Sequence, residues 1–428
     1  MAVRARLVSP RPARKRPTPT ARVLVVVGTR PEVIKLAPLV NALKATSGFR
    51  PILCVVGQQG HILAQALGEW GLTPTYRIDI PEDDRRLASV LAAMLPRLAD
   101  CIEDSQPDLV VVEGDTTTNL GAALAAFYAR VPVAHVEAGL RTGDFSHPFP
   151  EEMHRVLVDQ IASIRYSPTQ GASDNLQAAN LDASSIAVVG NTVVDALKEV
   201  RQRPWHGRFS LPSDKRILLV TAHRRESFGE GIVRICSAIR QLVSARPDLY
   251  VVYVLHPNPA ARRPAVRLLA GLPGVLLTEP QPYEDFIQLL SRSFVVLTDS
   301  GGIQEEAPYL GVPALVIRDT TERPEAAQQG AARIVGTDVA RIVEAVTELL
   351  DDPELHAAMA QPSSPYGDGH ASTRIVADMA SRLGIPVRPP MVGVMADVSQ
   401  EDRVLTGPFD LLTRIDGPDD ELVADLAI

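Results

Sequence analysis

The chain has 428 residues (46.2 kDa), 46% apolar, 22% charged and 4% aromatic, with a formal charge of −8 and a pI near 5.7. That length suits two domains, and the composition excludes a disordered or collagen-like chain and a globally basic nucleic-acid footprint. The apolar runs at 24–27, 217–220 and 250–255 are too short to cross a bilayer, and Cys54, Cys101 and Cys236 form no CxxC pair or disulfide framework, so a soluble, reduced, cytoplasmic protein is expected.

Residues 1–22 carry six Arg and one Lys, no acid, and prolines at 10, 12, 17 and 19. No apolar stretch follows that would make this a signal peptide, so a disordered basic arm is expected over 1–21. From Arg22 onward one unit repeats, a short β-branched run, a turn and a helix-period segment. ARVLVVVG leads into TRPEVIKLAPLVNALKA, PDLVVVEGD into TTTNLGAALAAFYAR, and VPVAHVEAG follows. KRILLVTAH, YVVYVLHP, GVLLTEP and FVVLTDSGG take the strand role in the second half. Continuous Val/Leu runs between helices predict parallel sheets covered on both faces. The expectation is an α/β chain of two Rossmann-like, doubly wound domains at 22–195 and 213–370. A proline-bearing connection at 196–212 joins them, a helix follows at 371–384, and an acidic tail, nine acids against three Arg, closes the chain at 385–428.

In open α/β sheets, ligands bind beyond the carboxyl ends of the strands. The unusual polar clusters fall at those places. Gly28 to Glu32 follow VLVVV, Asp115 precedes three threonines, His135 and Glu137 close VPVAHVE, His223 with Arg224 and Arg225 follow ILLVTA, and Ser300, Gly301 and Gly302 follow FVVLTD. Five clusters in two domains imply a cleft between the domains. Glycines before a helix let backbone amides approach a diphosphate, and the helix dipole favours an anion there. Glu305 and Glu306, on the first helical turn, suit ribose or sugar hydroxyls. Pro31 suits the first helical position. Arg30 and Lys35 fit a second anion site, with a solvated helix position as the alternative for Lys35. Asp115, Glu137 and Glu151, from three loops, are acid–base candidates if burial tunes them, and a helix cap is the plain alternative for Asp115. His135 with Glu137 lacks a third metal ligand, and no GxSxG elbow is present.

VVVGTRPEVIKLAPLV, HVEAGLRTGD, HPFPEE, VGNTVVDAL, TAHRRESFGEG, DSGGIQEEAP, RDTTERPE and SPYGDG occur in the order of a known family. Over about residues 22–384 the chain resembles the bacterial non-hydrolysing UDP-N-acetylglucosamine 2-epimerases. The resemblance implies a GT-B-like fold with its site in the interdomain cleft, a homodimer, a UDP-sugar substrate, and no metal, nicotinamide, nucleic acid or membrane partner. It implies interconversion of UDP-N-acetylglucosamine and UDP-N-acetylmannosamine by elimination of UDP and its re-addition. It assigns acid–base roles to Asp115, Glu137 and Glu151 and places His223 beside the diphosphate. Arg30, Lys35, Arg224 and Arg323 become substrate-binding cations, and Ser300, Gly301, Gly302 and Glu306 the UDP-binding turn and ribose acid. The chain departs from the family pattern at Gly57-Gln58-Gln59, at 81–86 and at His154-Arg155. The first two regions serve activation by a second UDP-N-acetylglucosamine in bacterial members, so that property is not carried over. A hydrolysing epimerase, a GT-B glycosyltransferase and a non-catalytic UDP-sugar binder are the competing readings.

Overall fold

The computed structural model describes residues 20–57, 61–80, 86–203, 210–222, 224 and 227–386. Most of the basic arm and acidic tail, the divergent turns at 58–60 and 81–85, and His223 lie outside the described residues.

The first domain carries β1 (Ala21–Val27), β2 (Phe49–Val56), β3 (Tyr76–Ile78), β4 (Leu109–Glu113), β5 (Val133–Val136), β6 (Ile164–Ser167) and β7 (Ile186–Val188). Its helices are α1 (Arg30–Ala45), α2 (His61–Glu69), α3 (Leu87–Ser105), α4 (Thr117–Tyr128), α5 (Glu151–Ile161), α6 (Gln170–Ala178) and α7 (Thr192–Arg201). The second carries β8 (Arg216–Thr221), β9 (Leu249–Val254), β10 (Val275–Thr278), β11 (Val295–Thr298), β12 (Ala314–Val316) and β13 (Ala332–Ile334). With them come α8 (Glu230–Ala245), α9 (Pro259–Leu269), α10 (Tyr283–Ser291), α11 (Gly301–Leu310), α12 (Glu325–Gln328), α13 (Val339–Asp351), α14 (Pro353–Met359) and α15 (Ala371–Leu383).

All strand pairs are parallel, in the orders β3-β2-β1-β4-β5-β6-β7 and β10-β9-β8-β11-β12-β13. Both sheets are doubly wound and form the GT-B-like pair. The alternation along β1 shows why its sequence is apolar throughout. Val23, Val25 and Val27 join the core that lies between the two sheets, while Leu24 and Val26 join the core beneath α3 and α4. In β8, Ile217 and Leu219 face that same central core, and Leu218 and Val220 pack under α8 and α13. A strand buried on both faces cannot alternate apolar with polar.

Strand order reverses between β1 and β4 in one sheet and between β8 and β11 in the other. Those switch points are where open sheets leave crevices. The segments after β1, β4, β8 and β11 are the ones bearing Arg30 and Lys35, Asp115, Arg224, and Ser300 to Gly302. Helix α7 runs through position 195 to Arg201 and packs on α1, α10 and α11, so it bridges the layers. The chain then returns: α15 packs on α1 and α7, and Asp195 takes the amides of Ala371 and Ser372 at 3.0 and 2.8 Å, capping α15.

Candidate active site

A cavity of about 890 Å³ lies between the sheets' carboxyl ends. Eleven of the twelve expected site residues line it: Arg30, Lys35, Asp115, Glu137, Glu151, Arg224, Ser300, Gly301, Gly302, Glu306 and Arg323. The twelfth, His223, is outside the described residues.

Four of the local sequence readings are corrected. The cap of α4 is Thr116, whose hydroxyl accepts from Asn119 N at 3.3 Å, so Asp115 is left for the cavity. Pro31 is the second rather than the first residue of α1, and Glu305 and Glu306 sit on the second turn of α11. Lys35 is not solvated: it is buried, with Nζ 2.5 Å from Glu137 Oε2 and 3.1 Å from Glu113 Oε1. His135 and Glu152 prove structural. Asp159 and the Gly114 carbonyl occupy both nitrogens of His135, leaving none for a metal, and Glu152 pairs with Arg155 and accepts the amides of Thr142 and Gly143.

The first-domain carboxylates differ in their surroundings. Glu137 follows β5 with φ of 66°, a left-handed conformation that turns it off the strand. It accepts from Lys35, from Asn191 Nδ2 at 2.7 Å and from Arg323 Nη2 at 3.2 Å. Burial alone would raise this carboxyl, but Lys35 and Arg323 outweigh it and hold it below the ordinary value. Asp115 is half-buried, and although desolvation would raise its carboxyl, Arg155, Arg224, Lys35 and Arg323 bring it below the ordinary value. Its direct partner is Arg155, and His154 Nδ1 lies 2.8 Å from its carbonyl. Glu151 opens α5, and its Oε2 is buried without a hydrogen-bond partner. An unpaired buried carboxylate oxygen costs about 1–3 kcal/mol or more unless a ligand meets it.

From the second domain, Arg323 joins the halves. Nε is 2.5 Å from Glu305 Oε1, Nη1 pairs with Glu322, and Nη2 reaches Glu137. Glu322 lies far below the ordinary carboxyl value: burial opposes this, but Arg323, Arg155, Arg224 and Arg318 surround it. Arg30 Nη2 donates to the Gln281 carbonyl at 2.5 Å, a further tie between the domains. Gly301 has a steric reason to be glycine, because an added Cβ would lie 2.5 Å from Arg323 Nη1. At Gly302 an added Cβ meets nothing within 4 Å. Ser300 makes no side-chain cap to α11 and gives its own amide to Thr298 Oγ1 at 3.0 Å, so the helix start opens onto the cavity at Gly301 and Gly302. Glu306 accepts the Tyr283 hydroxyl at 2.8 Å, and burial pushes its carboxyl up to about 7.

Residues 41–380 match the family model described as UDP-N-acetylglucosamine 2-epimerase. The chain is 46% identical over 365 residues to the UDP-N-acetylglucosamine 2-epimerase of Escherichia coli (strain K12), covering 83% of this chain and 97% of that protein. The chain belongs to this family. The Yersinia pestis UDP-N-acetylglucosamine 2-epimerase is 45% identical over 365 residues, with the same coverage of each chain. A Neisseria meningitidis UDP-GlcNAc 2-epimerase, solved bound to UDP-GlcNAc, superposes with a TM-score of 0.81 at 40% identity, covering 84% of this chain and 100% of that one.

Sequence reasoning missed Glu113, Arg155, Asn191, Tyr283 and Glu322 as parts of the site. Two of them left a signal. Glu113 is an acid inside the otherwise apolar run LVVVE, and Arg155 lies one helical turn beyond Glu151. The others become site residues only through contacts between the domains, which no local pattern announces.

Proposed function

We propose that this protein interconverts UDP-N-acetylglucosamine and UDP-N-acetylmannosamine by inversion at C2. The observation that carries the reading is the juxtaposition, in one buried cleft, of three carboxylates from one domain with an anion-ready helix start from the other. A base removes the C2 proton while the C1–O bond breaks, giving UDP and a bound 2-acetamidoglucal. UDP then returns to C1 and a proton is delivered to the opposite face of C2, so atoms balance and nothing is consumed.

Inversion needs proton handling on both faces of C2, hence more than one acid–base group. Asp115 and Glu137 are held ionised by arginines and by Lys35, and Glu151 offers an unpartnered oxygen. The departing diphosphate has the start of α11 at Ser300 to Gly302, with Arg224 and Arg30 as cations from the two domains, and the family resemblance assigns His223 to the same task. Preorganised cations and amides of this kind stabilise charge that develops in the transition state. Glu306 faces the ribose. The intermediate returns to product rather than meeting water because the domains are tied across the cleft by Arg323 to Glu137, Asn191 to Glu305 and Arg30 to Gln281. The related enzymes' names and the UDP-GlcNAc bound in the Neisseria meningitidis structure support the substrate.

The protein works as a homodimer. Supporting this, Tyr128 at the end of α4 is 67% exposed, and Met153 and Leu157 of the adjoining α5 are also exposed, an apolar face unusual for a free surface. It acts in the cytoplasm; among the described residues no helix is long and apolar enough to cross a membrane.

The test is a product analysis of purified protein with UDP-N-acetylglucosamine alone. UDP-N-acetylmannosamine at a stable ratio with substrate is the expected outcome. UDP with free N-acetylmannosamine would assign the hydrolysing reaction instead.

A further inference from the structure

The buried cleft holds more carboxylates than cations at one corner. Lys35 and Arg323 serve Glu113, Glu137 and Glu305 together, since Glu322 draws on Arg318, Arg155 and Arg224 as well. Glu137 accepts three hydrogen bonds, and Glu305 accepts from Arg323 at 2.5 Å and from Asn191 at 3.0 Å. Among the described residues, Glu113, 2% exposed at the end of β4, has the Lys35 ammonium 3.1 Å from an Oε1 that accepts no well-formed hydrogen bond. In a water-poor cluster with too few cations, the worst-served carboxylate keeps its proton.

We infer that Glu113 is a positioning residue for the C2 chemistry: as a neutral acid it anchors the Lys35 ammonium beside Glu137 and leaves that cation's charge to Glu137. The inference rests on the reading of Glu137 as part of the acid–base set. A lysine head group is a mobile point charge on a flexible stem. With one anchor removed, Lys35 can swing toward the cavity and its diphosphate, and Glu137 loses a fixed partner. A second ionised carboxylate at Glu113 would compete for the same ammonium.

The groups facing Glu113 agree with a neutral state. From α1 come Lys35 and Glu32; from the turn after β5 comes Glu137; Asp115 lies two residues along its own loop, and Glu305 and Arg323 reach Lys35 from the second domain. Burial, with Glu137 and Glu32 as like charges, pushes the Glu113 carboxyl well above its ordinary value despite Lys35. The proton is therefore held to higher pH than an ordinary carboxyl would hold it, and it is lost as pH rises.

The experiment compares wild type, Glu113→Leu and Glu113→Gln in steady-state epimerisation from neutral to alkaline pH, with thermal midpoints to confirm folding. At neutral pH Glu113→Leu lowers kcat about tenfold to a hundredfold, the scale of a small misplacement at a reacting centre, with a smaller change in KM. Glu113→Gln, which mimics the neutral acid, recovers most of that loss. It also lacks the alkaline decline that wild type shows when Glu113 ionises. An active wild type with Glu113→Gln as impaired as Glu113→Leu, or with the same alkaline decline in Gln and wild type, overturns this inference alone. If Glu113→Leu does not fold, the pH profile of Glu113→Gln decides. A wild type that exchanges no C2 proton overturns the functional reading and this inference with it.

Discussion

Replacing Gly301 with alanine probes the cleft without removing a charged group. The new Cβ would lie 2.5 Å from Arg323 Nη1 and 2.7 Å from Cζ, where ordinary contact begins at 3.4 Å, so the guanidinium must retreat by roughly 1 Å. Such a retreat carries the 3.2 Å bond from Nη2 to Glu137 out of hydrogen-bond range and strains the pair with Glu305. Overpacking of this size costs about 1–3 kcal/mol, and alanine returns about 1 kcal/mol of helix propensity. Stability should therefore fall little, while kcat falls about tenfold to a hundredfold through misplacement of Arg323 and Glu137. The control is Gly302→Ala, whose Cβ meets no protein atom within 4 Å. On the proposed function its methyl intrudes where the diphosphate would bind, so KM should rise about tenfold with kcat nearly kept, the signature of lost uniform binding. Initial rates of UDP-N-acetylmannosamine formation and thermal midpoints of both variants make the assay. A Gly301→Ala enzyme with wild-type kcat, or two variants that behave alike, refutes the geometry argued for Arg323.

Asp115→Asn and Glu137→Gln should each lower turnover by about 10²- to 10⁴-fold while UDP still binds, as titration calorimetry would show; wild-type rates in either variant remove that carboxylate from the chemistry. Because burial raises Glu306 to about 7, it favours the protonated state in the fold, and its ionisation costs stability as pH rises from the ordinary carboxyl range through 7. Glu306→Gln keeps an acceptor for Tyr283 and should stabilise the ligand-free protein at alkaline pH by about 3 kcal/mol at most, read as a higher thermal midpoint, but not at acid pH. An equal effect at both pH values would contradict the burial argument. On α5, Leu157→Asp should shift sedimentation from dimer toward monomer, whereas an unchanged sedimentation coefficient would place the interface elsewhere.

The strands that carry the site were legible because a strand buried on both faces must be mostly apolar, and β1, β4, β8, β9 and β11 carry such runs, while β5 is broken by His135 and β10 is apolar but half-buried. The shorter β3, β7, β12 and β13 have three residues each, too few to show a period, and β6 reads IRYS because Arg165 is buried against Ser185 and the Asp159 carbonyl. Cleft residues were found after β1, β4, β5, β8 and β11, whereas Asn191 after β7 and Glu322 after β12 were missed. The charges of the cleft were not legible, since the state of Glu137 depends on Lys35 from α1 and Arg323 from the other domain. Lys35 itself shows the limit: as one residue of an ordinary helix, its burial between two carboxylates is set by tertiary packing, not by its neighbours in sequence.

The central claim is that a proton at C2 is removed and returned on the opposite face while UDP is kept. Nuclear magnetic resonance of UDP-N-acetylglucosamine with this protein in D2O follows that event directly. The account requires UDP-N-acetylmannosamine to accumulate with deuterium at C2. Product that retains the original hydrogen at C2, or UDP released with free sugar, would contradict it.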